Sequence, residues 1–230
     1  MKKLLGLIIL ATLFTTNNLS ASEKNAPLPF GSSTIGSGKI AVTLSLGFEI
    51  PQVIPYNLRA DFGVFSHFQT GFSAWHGAKN NFNVSNYNKF NFFTSSENRH
   101  LLSAHTDFSY TSLNESSHLL TASPAIGYEY RFKTKRPRAF YSRLGTTHVL
   151  ASSNGSFSSV EFGTFSTRKD TITLNHIVGF EGNLGGLITL GLELGHSLRL
   201  SNRSTPANFV DKIFKSNIAP TGKIFFSFVF

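Results

Sequence analysis

The chain has 230 residues and a formal net charge of +9, yet only 14% of its residues are charged, where roughly 25% is usual for a soluble domain. Apolar residues make up 40%, which excludes disorder by composition. The absence of Cys excludes disulfides, thiolate metal sites and Cys nucleophiles.

Residues 1–22 have the form of a cleaved secretory signal. Lys2 and Lys3 give a positive start, Leu4 to Phe14 an apolar core, and Ser20, Ala21 and Ser22 small residues for cleavage. The core is shorter than the roughly 17–25 residues a membrane helix needs. A buried N-terminal helix is the competing reading, and the paired lysines at the extreme terminus disfavour it. Loss of Lys2 and Lys3 takes the formal charge from +9 to about +7. Residues 23–38 are polar and rich in Pro, Gly and Ser, and read as a disordered lead-in. After the leader no apolar stretch is long enough for a membrane helix.

From residue 39 to 230 the dominant pattern has period two. Ile40, Val42, Leu44, Leu46, Phe48 and Ile50 alternate with Ala41, Thr43, Ser45, Gly47 and Glu49, a strand with one apolar face. The alternation recurs near 57–68, 101–111, 118–132, 139–151, 171–182, 187–200 and 218–230. Turn clusters separate these runs, including Asn183-Leu184-Gly185-Gly186 as a tight hairpin. The count is eight strands, with 69–100 as a long connection. Ten strands is the runner-up, drawing on Phe90, Phe92 and Phe93 or on Val160, Phe162 and Thr164. A soluble sandwich would carry many charges on its non-apolar faces. Here those faces are mostly Gly, Ser, Thr and Ala with single charges of both signs, which suits a narrow barrel interior.

The chain ends Ile224-Phe225-Phe226-Ser227-Phe228-Val229-Phe230. Phe226, Phe228 and Phe230 on one face resemble the terminal assembly signal of bacterial outer-membrane β-barrels. With the leader, this makes residues 39–230 similar to the small OmpA/OmpX-type and opacity-type barrels. The hairpin from Val178 to Gly195 resembles their Gly-rich alternating strands. The resemblance implies a closed, monomeric antiparallel barrel in the outer membrane of a Gram-negative bacterium. It implies no enzyme and no cofactor, and as partners outer-membrane lipid, lipopolysaccharide and the barrel-assembly machinery.

The alternation turns Glu49, Asp61, Asp107, Glu129, Glu181 and Glu193 inward against Arg59, Arg131, Arg143, Arg199 and Lys223. Near-balanced charges in a narrow lumen are expected to pair and to plug it. His105 and Asp107 share that face two residues apart, as a general-base pair or as a lumen hydrogen bond. A fainter resemblance, to outer-membrane lipid A deacylases, rests on Gly195-His196 leading to Ser201-Asn202 with Pro206 and Asn208. The family has His two residues before its Ser, where this chain has Arg199. An active site of that kind would fall to His196 and Ser201, or to Ser197. Otherwise there is no catalytic residue. The basic run Lys133, Lys135, Arg136 and Arg138 matches a nucleic-acid patch by composition. An exported barrel does not meet nucleic acid, and lipid or lipopolysaccharide phosphates are the natural partners. No metal-ligand spacing and no phosphate loop is present.

Overall fold

The computed structural model describes residues 28–49, 52–76, 82–114, 117–152, 157–158, 166–167, 172–199 and 218–230. In chain order the strands are β1 (Ile40–Glu49), β2 (Gln52–Phe65), β3 (Phe68–His76), β4 (Phe82–Thr94), β5 (His100–Asn114) and β6 (Ser117–Arg131). They continue with β7 (Arg138–Ser152), β8 (Phe157–Ser158), β9 (Ser166–Thr167), β10 (Ile172–Gly185), β11 (Ile188–Arg199) and β12 (Ile218–Val229). Ten of them close an antiparallel barrel in the order β1-β12-β11-β10-β7-β6-β5-β4-β3-β2, while β8 and β9 pair only with each other. Closure is made by β1 on β12, from Ala41 opposite Val229 to Glu49 opposite Thr221. Ile40 and Phe230 then exchange both backbone hydrogen bonds. No barrel strand has an open edge.

The barrel therefore has ten strands rather than eight. The supposed connection at 69–100 is a hairpin, β3 paired with β4 from Phe68 opposite Phe90 to His76 opposite Phe82. Its period-two signal is weak because Asn86 and Asn88 occupy outward positions between Val84 and Phe90. They bond sideways instead: Thr70 Oγ1 donates to Asn88 Oδ1 at 2.8 Å, and Asn88 Nδ2 to Asn86 Oδ1 at 2.7 Å. Of the segments considered for the extra hairpin, Phe90, Phe92 and Phe93 belong to it, whereas Val160, Phe162 and Thr164 lie outside the described residues.

Most outward residues of the barrel strands are apolar and most inward ones polar. Leu44, Phe72, Ile126, Leu144 and Ile224 are about half exposed on the outer face. Their sequence neighbours Thr43, Ser73, Arg143 and Phe225 point inward, as the alternation of a strand requires. Aromatic rings gather at both ends of this outer face. Tyr130 meets Phe132 edge-on at 5.3 Å and Phe132 lies 6.3 Å from Phe180, at the end that holds residues 40 and 229. At the opposite end Phe82, Tyr110 and His118 form a second group.

The first end carries the tight connections β2–β3, β4–β5, β6–β7 and β10–β11. Register shifts at Gly63/Phe65, Asn91/Phe93 and Asn183/Gly185 lie beside three of them. The β10–β11 turn uses Gly185 and Gly186 at φ 138° and 54°, where side chains are disfavoured. Sequence positions 153–171 and 200–217 connect strands at the other end, which we call the far end.

Residues 28–38 are not a loose lead-in. They enter the barrel from the end that holds residues 40 and 230, and Leu28, Phe30, Ser32, Ser33 and Ile35 are buried. Gly38 N–H donates to Gly63 O at 2.8 Å where the segment leaves the lumen. Burial of two large apolar side chains and an aromatic ring offsets the cost of ordering so polar a segment.

Candidate functional site in the barrel lumen

Charged side chains from several strands hold the N-terminal segment by its backbone. Glu181 on β10 accepts from Phe30 N–H at 3.1 Å and from Gly31 N–H at 2.6 Å. Glu129 on β6 accepts from Ser33 N–H at 2.7 Å, and Gln69 on β3 from Ile35 N–H at 3.1 Å. On the donor side, Lys89 Nζ on β4 reaches Pro29 O at 2.8 Å and Gly31 O at 3.0 Å. Asn91 Nδ2 donates to Ser32 O at 3.1 Å. Lys89, Glu129, Glu181 and Gln69 are fully buried, so these bonds replace all the water those groups would otherwise hold. Phe30 stacks on inward-facing Phe225 with centroids 3.9 Å apart. Gly191 makes room, since a Cβ there would lie 2.0 Å from Phe225 Cζ.

Other lumen charges form ion pairs. Arg59 binds both oxygens of Asp61, Nε at 2.7 Å and Nη2 at 2.6 Å, and its guanidinium lies 4.0 Å over the Tyr87 ring. Glu193 serves two cations, Arg143 Nη2 on Oε1 and Lys223 Nζ on Oε2, each at 2.5 Å. Tyr141 O–H donates to the same Oε1 at 2.7 Å. Arg131 Nε donates to Glu129 at 2.7 Å. Arg59 is thus paired with Asp61, Arg131 with Glu129, and Arg143 and Lys223 with Glu193. Glu181 is used differently, by the N-terminal segment. The side chains of Glu49 and Arg199 lie outside the described residues.

A cavity of about 340 Å³ lies above this floor, toward the far end. Its lower lining includes Phe30, Arg59, Tyr87, Asp107, Arg143 and Lys223. Its wall combines hydroxyls and amides paired across strands with the apolar Ala125 and Ile177. Ser73 bonds with Ser85 at 2.7 Å, Ser109 with Thr121 at 2.7 Å, and Ser123 with Thr147 at 2.8 Å. Trp75 completes the lining.

His105 and Asp107 both face the lumen but do not pair. His105 Nε2 bonds with Ser103 Oγ at 2.6 Å, and its Nδ1 bonds with the Tyr87 hydroxyl. His105 is thus held by two lumen hydrogen bonds, to Ser103 and to Tyr87. His196 is on the outer face, edge-on to His176 at 5.4 Å. Ser197 is on the inner face, where its Oγ donates to Asn175 Oδ1 at 2.8 Å. The two neighbours are on opposite sides of the wall, and Ser201 lies outside the described residues. His176 Nε2 bonds with Ser142 Oγ at 3.0 Å. Among the described residues no carboxylate bonds to the His176 or His196 ring.

Three groups of lumen residues were not singled out by sequence. Lys89, Gln69 and Asn91 fell in the segment read as a connection. Tyr141 and Phe225 were passed over as alternation partners. The N-terminal segment carried one usable signal, the apolar triplet Leu28-Pro29-Phe30 inside a polar stretch.

No protein-family profile matches the chain, and no curated protein matches it. Solved structures similar in fold include the N-terminal β-barrel domain of Pseudomonas aeruginosa OprF, at 8% identity and TM-score 0.35, covering 85% of this chain and 99% of that one. An outer membrane channel from Pseudomonas putida F1 matches at 9% identity and TM-score 0.39, covering 89% of this chain and 100% of that one. Ail, the attachment invasion locus protein of Yersinia pestis, matches at 10% identity and TM-score 0.26, covering 84% of this chain and 99% of that one. The assignment of a closed ten-stranded barrel rests on the strand pairing described above.

Proposed function

We propose that the chain is an outer-membrane β-barrel protein of a Gram-negative bacterium, with its lumen closed by its own N-terminal segment. Its role in this reading is structural or surface-interacting, and not enzymatic. The observation that carries it is the inverted polarity of the closed barrel. A wall whose outer face is Leu, Ile, Val and Phe would aggregate in water. In hydrocarbon the same wall is at home, because closure satisfies every backbone polar group within the sheet. The two aromatic groups fit the interfacial girdles of such barrels.

Closure of the lumen is supported by the buried Leu28 to Ile35 stretch and by Arg59 and Lys223, whose cationic groups lie over the Phe30 ring. Phe230 and the start of β1 then face the periplasm, and the strand ends at Ser152, Ile172, Arg199 and Ile218 face the outer surface. The basic turn Lys133, Lys135, Arg136 and Arg138 lies at the terminus end, beside the aromatic group of Tyr130 and Phe132. Phospholipid phosphates of that leaflet are its partner, and lipopolysaccharide belongs to the other end. Phe226, Phe228 and Phe230 serve the barrel-assembly machinery, and residues 1–22 direct export. A barrel with no free edge needs no second copy to complete it, which supports a monomer.

Gel mobility tests this reading. A closed barrel keeps its fold in detergent until boiled, so unboiled and boiled protein are expected at different positions. Identical migration of the two samples, from protein refolded in lipid, would reject it.

A further inference from the structure

Because Phe30 and its segment close the lumen from one end, the cavity above them is a cup floored by Phe30. Such a shape binds rather than conducts. Its volume of about 340 Å³ lies within the range of small-molecule sites.

The chemistry of the cup divides into wall and base. In each hydroxyl pair of the wall one O–H donates to its neighbour; Ser85 also bonds with Asp107, while in the Ser109–Thr121 and Ser123–Thr147 pairs the second O–H is left to turn to the lumen. Ser109 with Thr121 and Ser123 with Thr147 thus offer spare donors and acceptors along the β5–β7 side of the cup. That is complementary to a ligand carrying several hydroxyls. At the base, Asp61 is fully buried and both its oxygens bind Arg59. Glu193, by contrast, is a single carboxylate shared by Arg143, Lys223 and the Tyr141 hydroxyl. An ammonium has three donors, and one of Lys223's is engaged by Glu193. Its side chain is the more exposed partner of that bridge, at 28%, and it lines the cup. Asp107, also on the lining, belongs to β5, across the barrel from Lys223 on β12.

The geometry points to a binding site for a small polyhydroxylated acid, a sugar acid or a sugar phosphate, with Lys223 on the acid group and the wall hydroxyl pairs on the ligand's hydroxyls. The site rests on the proposed closure of the lumen by the N-terminal segment, since Phe30 forms its floor.

The chain has one tryptophan, and Trp75 lines the cup, so intrinsic fluorescence reports on the site without a label. Refolded protein is titrated with gluconate, glucose 6-phosphate, glucose and inorganic phosphate. Saturable change is expected with gluconate or glucose 6-phosphate, and at least tenfold weaker binding for glucose and for phosphate. Lys223→Gln leaves Glu193 with Arg143 and Tyr141, so the barrel is expected to fold. It should weaken the charged sugar at least tenfold while leaving glucose unchanged. Heat-dependent gel mobility and absence of ion conductance, measured on the same samples, establish separately that the barrel is folded and closed. In such protein, no saturable response to either charged sugar would overturn the site. So would equal affinity for glucose and gluconate, phosphate binding as tightly as glucose 6-phosphate, or an unaltered Lys223→Gln.

Discussion

Arginine placed on the outer face should be penalised according to depth. β11 runs from Ile188 to Arg199, and Leu194 is near its middle, outward and 48% exposed. Leu190 lies four residues nearer the terminus end on the same face. At about 3.3 Å per residue and a tilt of about 40°, that is about 10 Å of depth. The apolar band of such barrels is about 25 Å tall, so Leu190 sits within a few ångströms of its edge. Leu194→Arg should therefore cost about 2–4 kcal/mol of folding stability and Leu190→Arg about 0–1 kcal/mol. Urea titrations of folding into lipid vesicles, followed by Trp75 fluorescence and gel mobility, measure both. In water neither site would resist a charge, since both lie on the exposed face. Equal penalties at the two depths, or none at either, would refute the membrane assignment of this face.

Further outcomes follow from the lumen. Glu181→Gln removes a carboxylate that accepts two backbone N–H groups; charge-assisted bonds contribute about 1.5–3 kcal/mol each, so a thiol at Ser32→Cys should react at least tenfold faster in that background. Gly191→Ala puts a methyl 2.0 Å from Phe225 Cζ and should destabilise the barrel by about 1–3 kcal/mol. Gly182→Ala meets nothing closer than 3.4 Å and should stay within about 0.5 kcal/mol; equal urea midpoints for the two would refute the packing. Mass spectrometry of lipid A from expressing cells should show every acyl chain retained, and His196→Ala should change nothing.

The fold was legible where packing and sequence obey the same rule. In β1 and β11 each outward residue is Leu, Ile, Val or Phe except near the ends, and their inward residues are small or charged. The rule fails in β4, where Asn86 and Asn88 satisfy each other and Thr70 on the outer face. A pattern read by hydropathy does not register polar groups that bond laterally, and the hairpin was lost with them. The ion pairs of Arg59, Arg131, Arg143 and Lys223 were legible because inward charges in a narrow space must meet partners. The partner of Glu181 was not, because it is backbone, and backbone donors leave no mark in side-chain sequence. The same holds for Lys89, whose bonds go to the Pro29 and Gly31 carbonyls. Residues 28–38 read as disordered from composition, yet their order comes wholly from the lumen that receives them.

Ion conductance across a planar lipid bilayer tests closure of the lumen most directly. The chain from residue 23 onward is compared with the same chain lacking residues 28–35, each checked for folding by heat-dependent gel mobility. The intact chain is expected to give no stable channel. The deletion removes Phe30 and every backbone group held by Glu129, Glu181, Gln69, Lys89 and Asn91, and should open a steady, ohmic conductance. An intact chain that conducts as well as the deletion, or a folded deletion that stays silent, would contradict closure by the N-terminal segment.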